Sequence, residues 1–152
     1  MAPPRSIRAR PPRRDAASYA LFLEACLCLA VARVAIGCLS FPRLARRLGA
    51  FTEPEEARAR AVPAPAREAQ LASQIGWAVR AAARRLPFRA LCLPQALAAR
   101  IMLARRGIAS VLHFGVATGD ARPIAAHAWI DAAGVEVAGY PAAAFTEIAC
   151  FV

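Results

Sequence analysis

Two side-chain types in this sequence are suited to attack on a peptide carbonyl, a thiol and an imidazole, and one pair of them has a suggestive setting. Cys92 stands in Arg85-Leu-Pro-Phe-Arg-Ala-Leu-Cys-Leu-Pro-Gln-Ala-Leu-Ala98, and His127 follows 35 residues later in Ala126-His-Ala-Trp129. Pro94 fits the first turn of a helix, where its missing N–H costs nothing. The predicted helix carries Leu97 and Ile101 on one face and stops at Arg105-Arg106-Gly107, with cations near its end and glycine just past it. Cys92 would then lie beside the positive end of that helix, which favours the anionic, nucleophilic form of a thiol. Cysteine nucleophiles also need an imidazole that holds the proton and returns it to the leaving amine, and a group that orients the ring. By type and spacing alone, Cys92 as a buried packing residue and His127 as a satisfied core histidine are open readings as well. His113, the other histidine, also falls in a predicted strand, so pattern does not choose between the two; it reads as structural or supporting.

Three blocks would have to position these groups. Ala66–Arg85 is predicted as an amphipathic helix with Leu71, Ile75, Ala78, Val79 and Ala82 on one face, and Trp77 reads as core. Leu86-Pro87 ends it and leads into the Cys92 helix. After Gly107 the period changes from helical to alternating. Ile108–Val116 reads as a strand, Thr118-Gly119-Asp120 as a turn, Pro123–Asp131 as a second strand, Ala132-Ala133-Gly134 as a turn and Val135–Tyr140 as a third strand. Helices followed by a small antiparallel sheet give an α+β class. Pro141–Val152 is apolar and is expected to return over the sheet.

The segments before residue 66 carry no recognisable chemistry. Residues 1–15 hold four prolines and no apolar period, and read as a disordered basic arm. Ala16–Phe41 is apolar almost throughout, but Glu24 and Arg33 interrupt it and leave eight residues between them, too few for the ~18 that a span needs. A core helix burying Leu23, Leu27, Val31, Val34 and Cys38 is the expectation, with peripheral membrane contact as the alternative. Arg43–Gly49 reads as a short basic helix, and residues 50–65, with three prolines, as a linker in which Thr52-Glu-Pro-Glu55 caps a short helix. The expected organisation is thus a basic arm (1–15), apolar helix, basic helix and linker (16–65), and a core that carries Cys92 and His127 (66–152).

Composition is less specific. At 152 residues the chain is long enough for one domain with a real core, and mean hydropathy is +0.40. All 20 basic residues are arginine, and the net charge is +10. Such charge admits nucleic acid, an anionic membrane or an acidic peptide as partner. There is no RNA-binding aromatic motif and no recognition-helix pattern, so nucleic acid is not expected. The five cysteines are an odd number without C-x-x-C or His-ligand spacing, which points to a reduced, cytoplasmic protein without a metal. Cys26 and Cys28 read as small packing residues.

Four stretches in order, Cys92–Ala98, Leu103–Ile108, Phe114–Val116 and Ala126–Trp129, resemble the B protein of lasso-peptide biosynthesis in its leader-peptidase portion. The resemblance extends over about residues 17–140 and is strongest over 84–134. It implies a transglutaminase-like, papain-like cysteine protease fold, with Cys92 as nucleophile and His127 as its base. It also implies a lasso precursor peptide as substrate, a leader-recognition protein, expected here to be separate, and an asparagine-synthetase-like cyclase. ATP belongs to that cyclase, and no cofactor is expected for this chain. The resembling family usually carries an Asp twelve residues after the His, where this sequence has Gly139. Asp131 shares a strand face with His127 but stands ~13 Å away along the strand. Glu136 faces the His127 side if the preceding turn has two residues and faces away if it has three. Tyr140 or a backbone carbonyl is the other candidate for orienting the ring. The Cys92 N–H with Gln95 is the candidate oxyanion hole. Two rival readings are a catalytically impaired scaffold of the same fold that binds precursor or cyclase, supported by Gly139, and a basic membrane- or nucleic-acid-binding protein. A membrane-associated location accompanies the latter.

Overall fold

Asp15 starts the first helix by accepting the Ser18 N–H at its Oδ1, 2.8 Å away, which satisfies one of the free donors of the first turn. The computed structural model describes residues 15–46, 48–59, 64–119, 122–140 and 145–152. Helices α1 (Ala16–Cys38), α2 (Phe41–Ala45), α3 (Pro54–Ala59), α4 (Ala66–Ala83) and α5 (Cys92–Ala104) are joined to strands β1 (Phe51–Thr52), β2 (Ser110–Gly119), β3 (Arg122–Ala132), β4 (Val135–Ala138) and β5 (Thr146–Phe151). The strands form one antiparallel sheet in the order β1-β5-β2-β3-β4. Helices α4 and α5 lie on one face of it, and α1 packs across both helices. The α+β class and the helix-then-sheet order agree with the sequence reading. The predicted arm, apart from Asp15, and part of the predicted turn after β2 lie outside the described residues.

The buried face of α1 differs from the one expected. Ala25, Cys28, Leu29 and Ala32 are buried, whereas Leu23, Leu27, Val31 and Val34 are 50–64% exposed and Cys38 is exposed too. The reason is steric. Ala25 and Ala32 meet α4 and α5, and small side chains let three helices approach at close range. By length and composition α1 could cross a membrane, but one face of it is committed to this packing. Glu24 fixes the crossing: Arg106 at the end of α5 donates from Nη1 to Oε1 (3.0 Å) and from Nη2 to Oε2 (2.6 Å), and Arg105 Nε lies 3.3 Å away.

Helix α4 buries Ile75, Ala78, Val79 and Ala82 as predicted, together with Ala72, Gly76 and Ala81, and Trp77 packs on the core half-buried. Gly76 has a reason to lack a side chain: a Cβ there would stand 2.3 Å from the Val137 carbonyl oxygen of β4. The same oxygen accepts from Arg80 Nη1 at 2.6 Å, so α4 meets β4 backbone to helix. Arg100 of α5 braces the other side, donating to the carbonyls of Ser110 (3.3 Å) and Phe151 (3.1 Å) at the ends of β2 and β5.

Three elements depart from the sequence reading. Phe51–Thr52, inside the stretch read as linker, is an edge strand on β5, with Phe51 opposite Phe151 and Thr52 opposite Cys150. In the C-terminal segment, Thr146–Phe151 does not lie over the sheet; as β5 it enters the sheet between β1 and β2, while residues 141–144 of that expectation lie outside the described residues. The third strand also stops at Ala138 and leaves Gly139 and Tyr140 beyond it. Ala133 and Gly134 form the two-residue turn between Ala132 and its partner Val135, both at positive φ (52° and 73°), as such hairpins require.

Candidate functional site

Cys92 opens α5, with Leu91 as the residue before the first turn, and is half-buried. The N–H groups of a first turn have no partner within the helix and point out of its end. Gln95 Nε2 donates to the Ala90 carbonyl at 2.7 Å, so its amide braces the loop entering the helix and keeps a second N–H.

His127 comes from β3, where it stands opposite Gly115 of β2. Its Nε2 is hydrogen-bonded to the Gly139 carbonyl oxygen. A carbonyl only accepts, so Nε2 carries the proton and Nδ1 is the basic nitrogen. The ring lies against Phe145 (centroids 4.9 Å apart) and Trp129 (6.3 Å). Gly139 is at φ +78°, and a Cβ on it would stand 2.4 Å from the Ala128 carbonyl oxygen. Only glycine fits there without moving the strand, and its backbone supplies the acceptor that a side chain would otherwise provide.

Helix α5 packs on β3, which relates Cys92 and His127. The strand alternates, however: Ala128, Ile130 and Ala132 are buried, Ile130 and Ala132 in the core shared with α5, while His127, Trp129 and Asp131 project from the other side. Among the described residues no hydrogen bond joins Cys92 to His127. Glu136 stands opposite Asp131 across the two-residue turn, on the His127 side of the sheet. Loss of hydration first, and the Asp131 charge second, raise its carboxyl above the ordinary value. The Nε2 proton of His127 goes to Gly139 and not to Glu136.

A second cluster on that side of the sheet was not foreseen. His113 is buried, stacked flat on Trp129 (5.4 Å between centroids, 5° between planes). Its Nδ1 contacts Glu147 Oε1 and lies 3.4 Å from Cys150 Sγ, and the thiol reaches Glu147 Oε1 at 2.9 Å. Its Nε2 lies 3.4 Å from Asp131 Oδ2, an ion-pair contact without hydrogen-bond alignment, and Tyr140 OH donates to Asp131 Oδ1. Burial acts most strongly on His113 and opposes its charge, but the Asp131 and Glu147 carboxylates together outweigh it and raise the pKa. No sequence signal pointed here, because the residues are 34 and 37 positions apart and meet through strand register.

The helices and the small antiparallel sheet that carry Cys92 and His127 form one fold, and comparison with known families identifies it. The profile of the transglutaminase-like superfamily matches residues 35–150. The chain belongs to that superfamily. No curated protein and no solved structure matches it significantly.

Proposed function

We propose that this protein is a cysteine peptidase that removes the leader from a lasso-peptide precursor. One observation carries the reading: the carbonyl of Gly139, at the position where the resembling family has an Asp, fixes His127 with Nδ1 as its basic nitrogen. In the proposed mechanism substrate binding brings together the His127 ring and the Cys92 thiol, which lie apart in the free protein; Nδ1 then takes the Cys92 proton, the sulfur attacks the scissile carbonyl, and the imidazolium protonates the leaving amine. The Cys92 N–H and the second Gln95 N–H are the proposed donors to the oxyanion. Water, deprotonated by the same imidazole, releases the leader from the acyl-enzyme. The proposed partners are the precursor, a separate recognition protein and an asparagine-synthetase-like cyclase that closes the ring on the new amino terminus; ATP is used there. The exposed apolar stripe of α1, from Tyr19 through Val34, supports contact with a partner or a membrane surface; the proposed location is cytoplasmic.

With recognition protein and precursor supplied, Cys92→Ala and His127→Ala should each lower cleavage by at least ~10³-fold, the scale seen when a nucleophile or base is removed. Full cleavage by Cys92→Ala would end the proposal. The missing hydrogen bond between Cys92 and His127 favours a second reading, a non-cutting scaffold. That reading requires that wild type bind precursor without cleaving it and that Cys92→Ala bind equally well.

A further inference from the structure

Three donor atoms of different chemistry converge on the side of the sheet away from α4 and α5: His113 Nδ1, Glu147 Oε1 and Cys150 Sγ all lie within 4.8 Å of one another. The fold goes to some length to bring them together. His113 and Cys150 are a direct cross-strand pair of β2 and β5. Glu147 is three residues from Cys150, a spacing that in a regular strand puts the two on opposite faces. The register shift in β5 changes this: Ala149 pairs with Phe114 but Glu147 with Gly115, so Ile148 is the extra residue of a bulge and Glu147 returns to the Cys150 side.

We propose that His113, Glu147 and Cys150 bind one divalent cation of the zinc class. A thiolate, an imidazole and a carboxylate are the ligand types that zinc takes, at ~2.0–2.3 Å each, so around a tetrahedral ion they stand about 3.3–3.6 Å apart. Cys150 Sγ and His113 Nδ1, at 3.4 Å, already have that separation. Glu147 sits closer to both and has only to turn its side chain outward to admit the ion. The other side of the imidazole supports the assignment independently. Nε2 is buried without an aligned hydrogen bond and lies 3.4 Å from Asp131 Oδ2, while Tyr140 OH donates to the other oxygen of that carboxylate. A histidine that gives one nitrogen to a metal commonly directs the other N–H at a carboxylate, which fixes the ring and strengthens the ligand. Trp129, stacked on the ring, and the full burial of Cys150 keep bulk water away. Water fills the fourth position. The ion joins β2 to β5 and is independent of the Cys92 chemistry.

The test uses the whole chain, stripped with a chelator and titrated with Co2+ and then Zn2+. One equivalent of Co2+ should give a thiolate charge-transfer band that Zn2+ displaces, and Zn2+ should raise the melting temperature. Glu147→Gln and Cys150→Ser should each weaken binding by at least ~100-fold, Asp131→Asn by about 10–100-fold, and Cys92→Ala not at all. Folded wild-type protein that gives no thiolate band at one equivalent overturns the proposal without any variant. So does a band that survives in folded Cys150→Ser protein or is lost in Cys38→Ser, because the thiolate would then be another one.

Discussion

Gly139 allows the sharpest test of how His127 is held. A side chain at this position meets two obstacles. At φ +78° an L-residue costs ~1–2 kcal/mol relative to glycine. Its Cβ would also stand 2.4 Å from the Ala128 carbonyl oxygen, and relieving that contact means shifting the backbone that follows β4, for roughly another 1–3 kcal/mol. The same shift carries the Gly139 carbonyl away from His127 Nε2, so the hydrogen bond fails with the packing. Gly139→Ala and Gly139→Asp should therefore both lose about 2–5 kcal/mol in urea denaturation. Both should also cleave precursor more slowly, by up to the ~10⁴-fold seen when a catalytic histidine loses its orienting partner. Stopped-time cleavage assays on the two variants and wild type measure the rates. Long-range 1H–15N spectra of the imidazole measure the tautomer, which should be Nε2–H in wild type. A faster Gly139→Asp enzyme beside a slow Gly139→Ala one would show that a carboxylate is wanted there and the carbonyl does not suffice. A wild-type ring protonated on Nδ1 would refute the argument at its root.

Three further outcomes follow from the packing. Glu24→Gln should destabilise the fold by about 1 kcal/mol at neutral pH, since a two-pronged, partly exposed ion pair ties α1 to α5. The hydrogen bond from Arg106 holds the Glu24 carboxyl below its ordinary 4.5, so this stabilisation is complete above that value and is lost as pH falls through the depressed pKa. Denaturation of wild type and variant at pH 7 and pH 3 checks it, and an equal difference at both would contradict it. Gly76→Ala, which in an exposed helix would gain up to ~1 kcal/mol, should instead destabilise, because the new methyl meets the Val137 carbonyl 2.3 Å away; a raised melting temperature would contradict the packing. In limited iodoacetamide treatment near pH 6, Cys92 at the head of α5 should label ahead of the exposed Cys38, while Cys28 and Cys150 stay protected until unfolding. Early labelling of Cys150 would contradict its full burial.

The sequence alone fixes whatever depends on local period and end signals. Pro94 and Gly107 frame α5, alternation marks β2 and β3, and these suffice for the α+β class and for placing Cys92 at a helix head. The superfamily was legible too, through short stretches in a recognisable order. Helix faces were less legible where nearly every residue is apolar. In α1 both sides look buried by hydropathy, and only the close approach of α4 and α5 selected Ala25, Leu29 and Ala32 over Leu23, Leu27 and Val31. Non-local pairing was beyond reach altogether. Nothing near Phe51 announces that it pairs with Phe151, a hundred residues away, nor that the C-terminal segment enters the sheet beside β2. The partner of His127 is a backbone carbonyl, which every residue has, so side-chain identity could not reveal it. The His113–Glu147–Cys150 cluster arises from register and from one bulged residue, Ile148, that turns a three-residue spacing to a single side of the strand. Period-two logic places Glu147 and Cys150 on opposite faces, and only strand pairing, a property of two segments at once, reverses it.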